Sequence, residues 1–215
     1  MLVFCSLLLF LHQPPATATV SGRVELGEAR IQQSGGRTQS RYARGRTAES
    51  AREQVPVLVW IEGADQVSRA NTEPPILNQK DTRFEPRLVV VVAGRTVRIL
   101  NSDPIYHNVF SLSDVKRFNV GRRPAGEHVD VRFDTPGEVQ VFCDIHSSMN
   151  ATIRVLPNTT HQWVVLDGAD EFRLPPVPAG RYTVHVYAPG YGELRQSVNL
   201  TAGQRLELET FVLEP

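Results

Sequence analysis

The densest chemistry in this chain lies in the stretch Cys143-Asp144-Ile145-His146-Ser147-Ser148-Met149, a C-x-x-H-x-x-M arrangement. It places a thiol, an imidazole and a thioether on one short loop. Those donors suit copper: sulfur favours Cu(I), and imidazole serves both Cu(I) and Cu(II). Zinc sites seldom use methionine, so zinc is the weaker fit. A trigonal site built from this loop is one nitrogen short, and that nitrogen must come from another strand. His107 is the natural candidate, because Asn101-Ser-Asp-Pro-Ile-Tyr-His107-Asn108-Val-Phe110 reads as strand, turn and second strand. His128, His161 and His185 have no sulfur donor near them in sequence. They are expected to be structural or surface residues.

Such a loop needs strands to hold it. Gly and Pro are frequent, at 15 each, Val-rich runs recur, and long amphipathic helical patterns are hard to find. That composition predicts an all-β chain of short strands joined by turns. Strands are expected at Thr19 to Leu26, Val55 to Glu62, Phe84 to Val92, Arg95 to Asn101, His107 to Leu112, His128 to Phe133, Glu138 to Cys143 and Ala151 to Leu156. Gly94, Asp103-Pro104, Gly121, Gly126 and Pro136-Gly137 punctuate them as turns. Further strands follow at Trp163 to Leu166, Glu171 to Leu174, Gly180 to Tyr187, Glu193 to Leu200 and Gln204 to Val212.

The 215 residues leave room for one large or two small domains. The formal net charge is zero, which argues against a dedicated nucleic-acid binder. Leu2 to Leu11 is apolar and Ala16-Thr17-Ala18 is a small-x-small site, so residues 1–18 read as an export signal, although no Lys or Arg precedes the apolar run. The run is short for a bilayer span. The expectation is therefore a periplasmic or secreted protein with no transmembrane segment in its mature chain. Removing the signal leaves one cysteine, Cys143, and one methionine, Met149. A lone thiol in an exported protein calls for a reason: a metal, an intermolecular disulfide or a reactive role. Residues 27–54 carry Arg30, Arg37, Arg41, Arg44, Arg46 and Arg52 with few apolar side chains. Glu28, Glu49 and Glu53 partly balance them, and a solvated loop is favoured over a basic docking patch.

Several of these pieces occur together in a known order. Phe84-Glu-Pro86, Val92-Ala-Gly-Arg-Thr-Val97, Asn101-Ser-Asp103, His107-Asn-Val109, Pro136-Gly137 and Cys143 to Met149 together resemble a cupredoxin of the plastocyanin and amicyanin type. The resemblance implies a Greek-key sandwich over residues 73–157. It implies His107, Cys143 and His146 as equatorial copper ligands and Met149 as a weak axial ligand. Asn108 would hydrogen-bond across to the ligand loop. The implied activity is outer-sphere electron transfer with a redox partner protein through the exposed edge of His146, and no enzymatic turnover. Ser147 and Ser148, rather than apolar residues, flank that histidine. A copper-binding or copper-delivery protein, with a copper donor or acceptor as partner, is the alternative. The loop variant with appended strands also resembles exported bacterial proteins named for methylamine utilisation.

Residues 158–215 resemble a carboxypeptidase regulatory-like module, a small Ig/transthyretin-like β-sandwich. Phe172-Arg-Leu174, Pro178-Ala-Gly-Arg-Tyr182 and Ala188-Pro-Gly-Tyr191 carry that resemblance. Val20-Ser-Gly-Arg-Val24 and Val57 to Ile61 fit the family's opening strands. The expectation is that the strands within residues 19–72 complete this module, with the cupredoxin inserted. The alternative is that they pair with the cupredoxin sheet. No nucleophile, base or zinc set is visible in the module, so a structural or docking role is expected, without peptidase activity.

Overall fold

The computed structural model describes residues 17–27, 55–67 and 73–215. Residues 1–16 of the expected export signal, including Cys5, and residues 28–54 of the basic stretch lie outside the described residues. Among the described residues every regular element is a strand, and no helix is long and apolar enough to cross a membrane.

The first sandwich has nine strands. They are β3 (Ile76–Lys80), β4 (Arg83–Glu85), β5 (Leu88–Val92), β6 (Arg95–Asn101), β7 (His107–Ser113), β8 (Lys116–Arg123), β9 (His128–Phe133), β10 (Gly137–Cys143) and β11 (Asn150–Leu156). One sheet runs β5-β11-β10-β7-β8 and the other β4-β3-β6-β9. Leu77, Phe84, Val97, Ile99 and Phe133 of the second sheet face Val89, Val91, Val109, Val139, Val141 and Ile153 of the first. Side chains alternate across a strand. On β10 the period that buries Val139 and Val141 therefore buries Cys143 as well.

Three elements of this sandwich differ from the strands expected, and in the second sandwich Gln204 to Val212 is split into strands at Arg205–Glu207 and Phe211–Leu213, with a further short strand at Val177–Pro178. Phe84 to Val92 is not one strand: β4 and β5 flank Pro86 and lie in opposite sheets. Proline has no N–H to give a ladder, so the chain changes sheets there. β3 and β8 were not anticipated. β8 is a charged edge strand, Lys-Arg-Phe-Asn-Val-Gly-Arg-Arg, and its register with β7 shifts between Asn108 and Phe110. Gly121, expected as a turn, sits inside that strand at a φ of 73°. Edge strands are commonly charged and irregular, and this hides their alternation.

The second sandwich draws on both ends of the chain. Before the first sandwich come β1 (Thr17–Leu26) and β2 (Val57–Glu62). After it come β12 (Thr160–Leu166), β13 (Glu171–Arg173), β14 (Val177–Pro178), β15 (Gly180–Ala188), β16 (Gly192–Leu200), β17 (Arg205–Glu207) and β18 (Phe211–Leu213). One sheet runs β12-β2-β15-β16, and β1 pairs with β13, β14, β17 and β18 to form the other. Val59 is opposite Val186 and Trp60 is opposite Trp163. Val24, Val59, Tyr182, Val184 and Val186 share one core. The strands of the first sandwich are thus inserted between β2 and β12. Gly22 is closely packed: a Cβ there would sit 3.0 Å from the Phe172 ring, which would have to give by a few tenths of an ångström. β1 also takes in Thr17 and Ala18 of the expected export segment, with Ala18 buried opposite Val177. The small residues that read as a cleavage site also suit the alternation of a strand.

The two sandwiches meet on β2 and β15. Val57, Val59 and Ile61 of β2 enter the core of the second sandwich, while Leu58 and Trp60 pack against Leu88, Val92 and Leu156. A strand buried on both faces reads as a continuous apolar run, here Val-Leu-Val-Trp-Ile. On β15, Tyr187 reaches across and its hydroxyl donates to Glu138 Oε2 at 2.7 Å. Burial first, and that bond second, push the phenol pKa up, so Tyr187 stays a neutral donor. The Arg154 guanidinium lies 4.5 Å from the Tyr187 ring centroid and 5.3 Å from that of Trp60. His185 stacks on Trp60 at 4.5 Å and pairs with Glu193 at 2.8 Å, and Glu193 also pairs with Arg154.

Desolvation alone would raise the Glu193 carboxyl, but His185 and Arg154 outweigh it and hold it below its ordinary 4.5. A depressed folded-state pKa contributes stability that is present above the unfolded value and lost as pH falls through the folded one. Glu193→Gln is expected to lower stability at neutral pH and to flatten the loss below pH 4.5. Thermal unfolding followed across acid pH checks this, and an acid limb as steep as the wild type's would contradict it.

Candidate metal centre

Strand pairing brings the donors together. β7 and β10 are antiparallel, with Cys143 opposite Val109 and Phe142 opposite Phe110. His107 lies two residues before Val109 and so shares its face. That puts its ring beside the end of β10. His107 is 0% exposed and Cys143 is 4% exposed. The Cys143 Sγ lies 3.6 Å from His107 Nδ1 and 3.9 Å from His146 Nδ1, and the two Nδ1 atoms are 3.1 Å apart. Such separations are the edges of a triangle whose centre is about 2 Å from each donor, a normal metal–ligand distance. Among the described residues this is the one group of three or more His, Cys, Asp or Glu side chains with such mutual reach.

The loop after β10 folds back on itself. Met149 N–H donates to the His146 carbonyl at 3.0 Å, and Cys143 N–H donates to the Met149 carbonyl at 3.3 Å. Met149 is 1% exposed and packs in the same core as Val141 and Cys143. His146 is half-buried, between exposed Ile145 and exposed Ser147. Asn108 ties the two donor strands: its Nδ2 donates to Asp144 Oδ2 at 2.9 Å, and its carbonyl accepts from Asp144 N–H at 3.3 Å.

A layer behind His107 was missed from sequence. His107 Nε2 lies 2.7 Å from Asp103 Oδ2 in a buried pair. Asp103 accepts further bonds from the backbone N–H groups of Asp81 at 2.6 Å and Thr82 at 3.0 Å. Asn101 accepts from Asp103 N–H at 3.0 Å and donates to the carbonyls of Ile105 and Arg123 at 2.8 and 2.9 Å. Desolvation alone would raise the Asp103 pKa. The bonds from Thr82, His107 and Asp81 outweigh it and hold the carboxyl below its ordinary value. Asp103-Pro104 reads as a turn signal, and that reading concealed a carboxylate four residues before a donor histidine.

The remaining histidines lie elsewhere. His128 is exposed on β9, His161 meets the Tyr182 ring edge-on at 5.0 Å, and His185 stacks on Trp60.

Residues 76–156 match the copper binding proteins of the plastocyanin/azurin family, and residues 147–214 match the carboxypeptidase regulatory-like domain. The chain therefore carries a plastocyanin/azurin-family cupredoxin domain and a carboxypeptidase regulatory-like domain. The matches overlap at 147–156, where β11 hydrogen-bonds to β10 and β5 of the cupredoxin sheet. Similar solved structures include a copper-containing nitrite reductase from Thermus scotoductus SA-01, at 23% identity and a TM-score of 0.38, over 43% of this chain and 25% of that one. This chain thus spans about a quarter of the reductase's length. A purple cupredoxin from Nitrosopumilus maritimus is 18% identical with a TM-score of 0.35, over 38% of this chain and 98% of that one. A reduced amicyanin variant is 17% identical with a TM-score of 0.37, over 45% and 97%. No curated protein matches this chain. Within a cupredoxin domain, the cluster of His107, Cys143 and His146, with Met149 on the same loop, indicates a type 1 copper site.

Asn108→Ala removes a hydrogen bond to a carboxylate, an interaction worth about 1.5–3 kcal/mol. Urea denaturation of the metal-free variant is expected to show a loss of that order. A loss below about 0.5 kcal/mol would mean that the bond does not tie the strands.

Proposed function

We propose that this protein is an exported blue copper protein that transfers single electrons by an outer-sphere route. The observation that carries this reading is the convergence of His107 Nδ1, Cys143 Sγ and His146 Nδ1 within 4.8 Å of one another. Copper bound there would supply one-electron chemistry between Cu(I) and Cu(II). His107 and Cys143 would hold copper from two paired strands, whose register fixes the positions of both donors. Met149 would supply the fourth donor, and its burial in the core would limit the approach of water. Only His146 reaches solvent among the four, and its edge is the proposed electron port. With the other donors buried, a substrate has no open path to the metal, which supports a carrier over an enzyme. The partner is a redox protein. The location is periplasmic or secreted. The carboxypeptidase regulatory-like sandwich is assigned a structural or docking role.

The copper(II)-loaded protein is expected to show an intense blue thiolate-to-copper absorption that a mild reductant bleaches and an oxidant restores. Cys143→Ala should lose the band and most of the copper. A colourless Cu(II) form would overturn the reading, and labile copper with slow electron self-exchange would favour copper delivery. Copper affinity should fall in acid, because both histidines must be neutral and the thiol deprotonated to bind. Competition titrations at neutral and acid pH check this, and a flat affinity would contradict it.

A further inference from the structure

The turn between β3 and β4 is unusual. Asp81 and Thr82 have φ values of 52° and 56°, the left-handed region that favours glycine. Thr82 is β-branched, and a β-branched residue there is an outlier that persists only where its surroundings over-determine it. Here both N–H groups of the turn point at one carboxylate, Asp103. Parallel pairing sets the approach: Gln79 of β3 is opposite Asn101 of β6, and Ser102 N–H donates to the Gln79 carbonyl at 2.9 Å. The carboxylate passes this order on to the Nε2 of His107 at 2.7 Å. A ring nitrogen that donates to a carboxylate leaves the other nitrogen with a free lone pair. In His107 that other nitrogen is Nδ1, the atom facing Cys143 and His146.

We propose that Asp103, held by the strained Asp81–Thr82 turn, is a positioning residue that fixes His107 as its Nε2–H tautomer with Nδ1 aimed at the metal, and that its negative charge favours Cu(II) over Cu(I). This rests on reading the site as a copper centre. The two halves of the proposal have separate physical grounds. The hydrogen bond sets the tautomer and the ring plane, as partners behind metal-ligating histidines commonly do. The charge acts through a buried medium where screening by water is weak, so it stabilises the more highly charged ion. The turn keeps the carboxylate from rotating away, because each of its oxygens is held by a backbone amide.

The test is Asp103→Asn, which keeps the size of the side chain and removes its charge. Cu(II) affinity is expected to fall about 10–100-fold, with Cu(I) affinity changed less and the blue band retained. Each tenfold change in the ratio of the two affinities raises the reduction potential by about 59 mV for a one-electron couple. Voltammetry and competition titrations read both. An affinity ratio within about twofold of the wild type in a folded variant would overturn the charge half, since partners of this kind normally act more strongly. The tautomer half needs no variant. Nitrogen-15 NMR of the metal-free wild type should show His107 with a protonated Nε2 in slow exchange and a bare Nδ1. A protonated Nδ1 would overturn it. A wild-type protein that takes up no copper would defeat the function reading and the charge half together, while the His107 resonance still decides the tautomer.

Discussion

The antiparallel pairing of β7 with β10 is the constraint on which the site depends. Two residues that are 36 apart in sequence, His107 and Cys143, meet because Val109 is opposite Cys143. The register is in turn enforced by burial. A one-residue slip would turn Val139, Val141 and Cys143 out of the core and bring Gln140 and Phe142 in. The apolar alternation that folds the strand therefore also aims the thiol. The metal site needs only a terminal turn, Asp144 to Met149, to add its remaining donors.

Much of this was legible in the sequence, and the reasons differ by element. The C-x-x-H-x-x-M loop is local, so its donors can be read directly. His107 could be found because the loop lacked a nitrogen and a strand boundary offered one. The all-β class followed from alternation and turn residues. β3 and β8 stayed hidden because each has only a few buried positions: Leu77 and Gln79 on one, Val120 on the other. Their place in the sheets comes from neighbours rather than from their own pattern. Asp103 stayed hidden for a different reason. Asp before Pro signals a turn, and nothing local says that the carboxylate will face inward and meet two amides from a distant hairpin.

β2 shows how two sandwiches can share a wall. Its odd-numbered side chains from Val57 to Ile61 enter one core, and Leu58 and Trp60 enter the contact with the cupredoxin half. Polar groups line the same contact, and most are paired, although Trp60 Nε1 and Arg154 Nε are buried there without a hydrogen-bond partner. Glu138, on the ligand-bearing strand β10, accepts from Tyr187, and Arg154 on β11 pairs with Glu193 of β16. The path from the second sandwich to the metal is therefore a single strand long.

The insertion has an energetic corollary. Glu62 at the end of β2 is opposite Thr160 at the start of β12, and the Thr159 hydroxyl donates to Glu62 Oε1 at 2.7 Å. The host sandwich thus clasps both ends of the guest, so closing the chain for one partly closes it for the other. The host cannot open fully between β2 and β12 without releasing the ends of the guest. The two sandwiches thus share a covalent as well as a packed boundary, and the loop that the guest forms is closed by the host's own strand pairing.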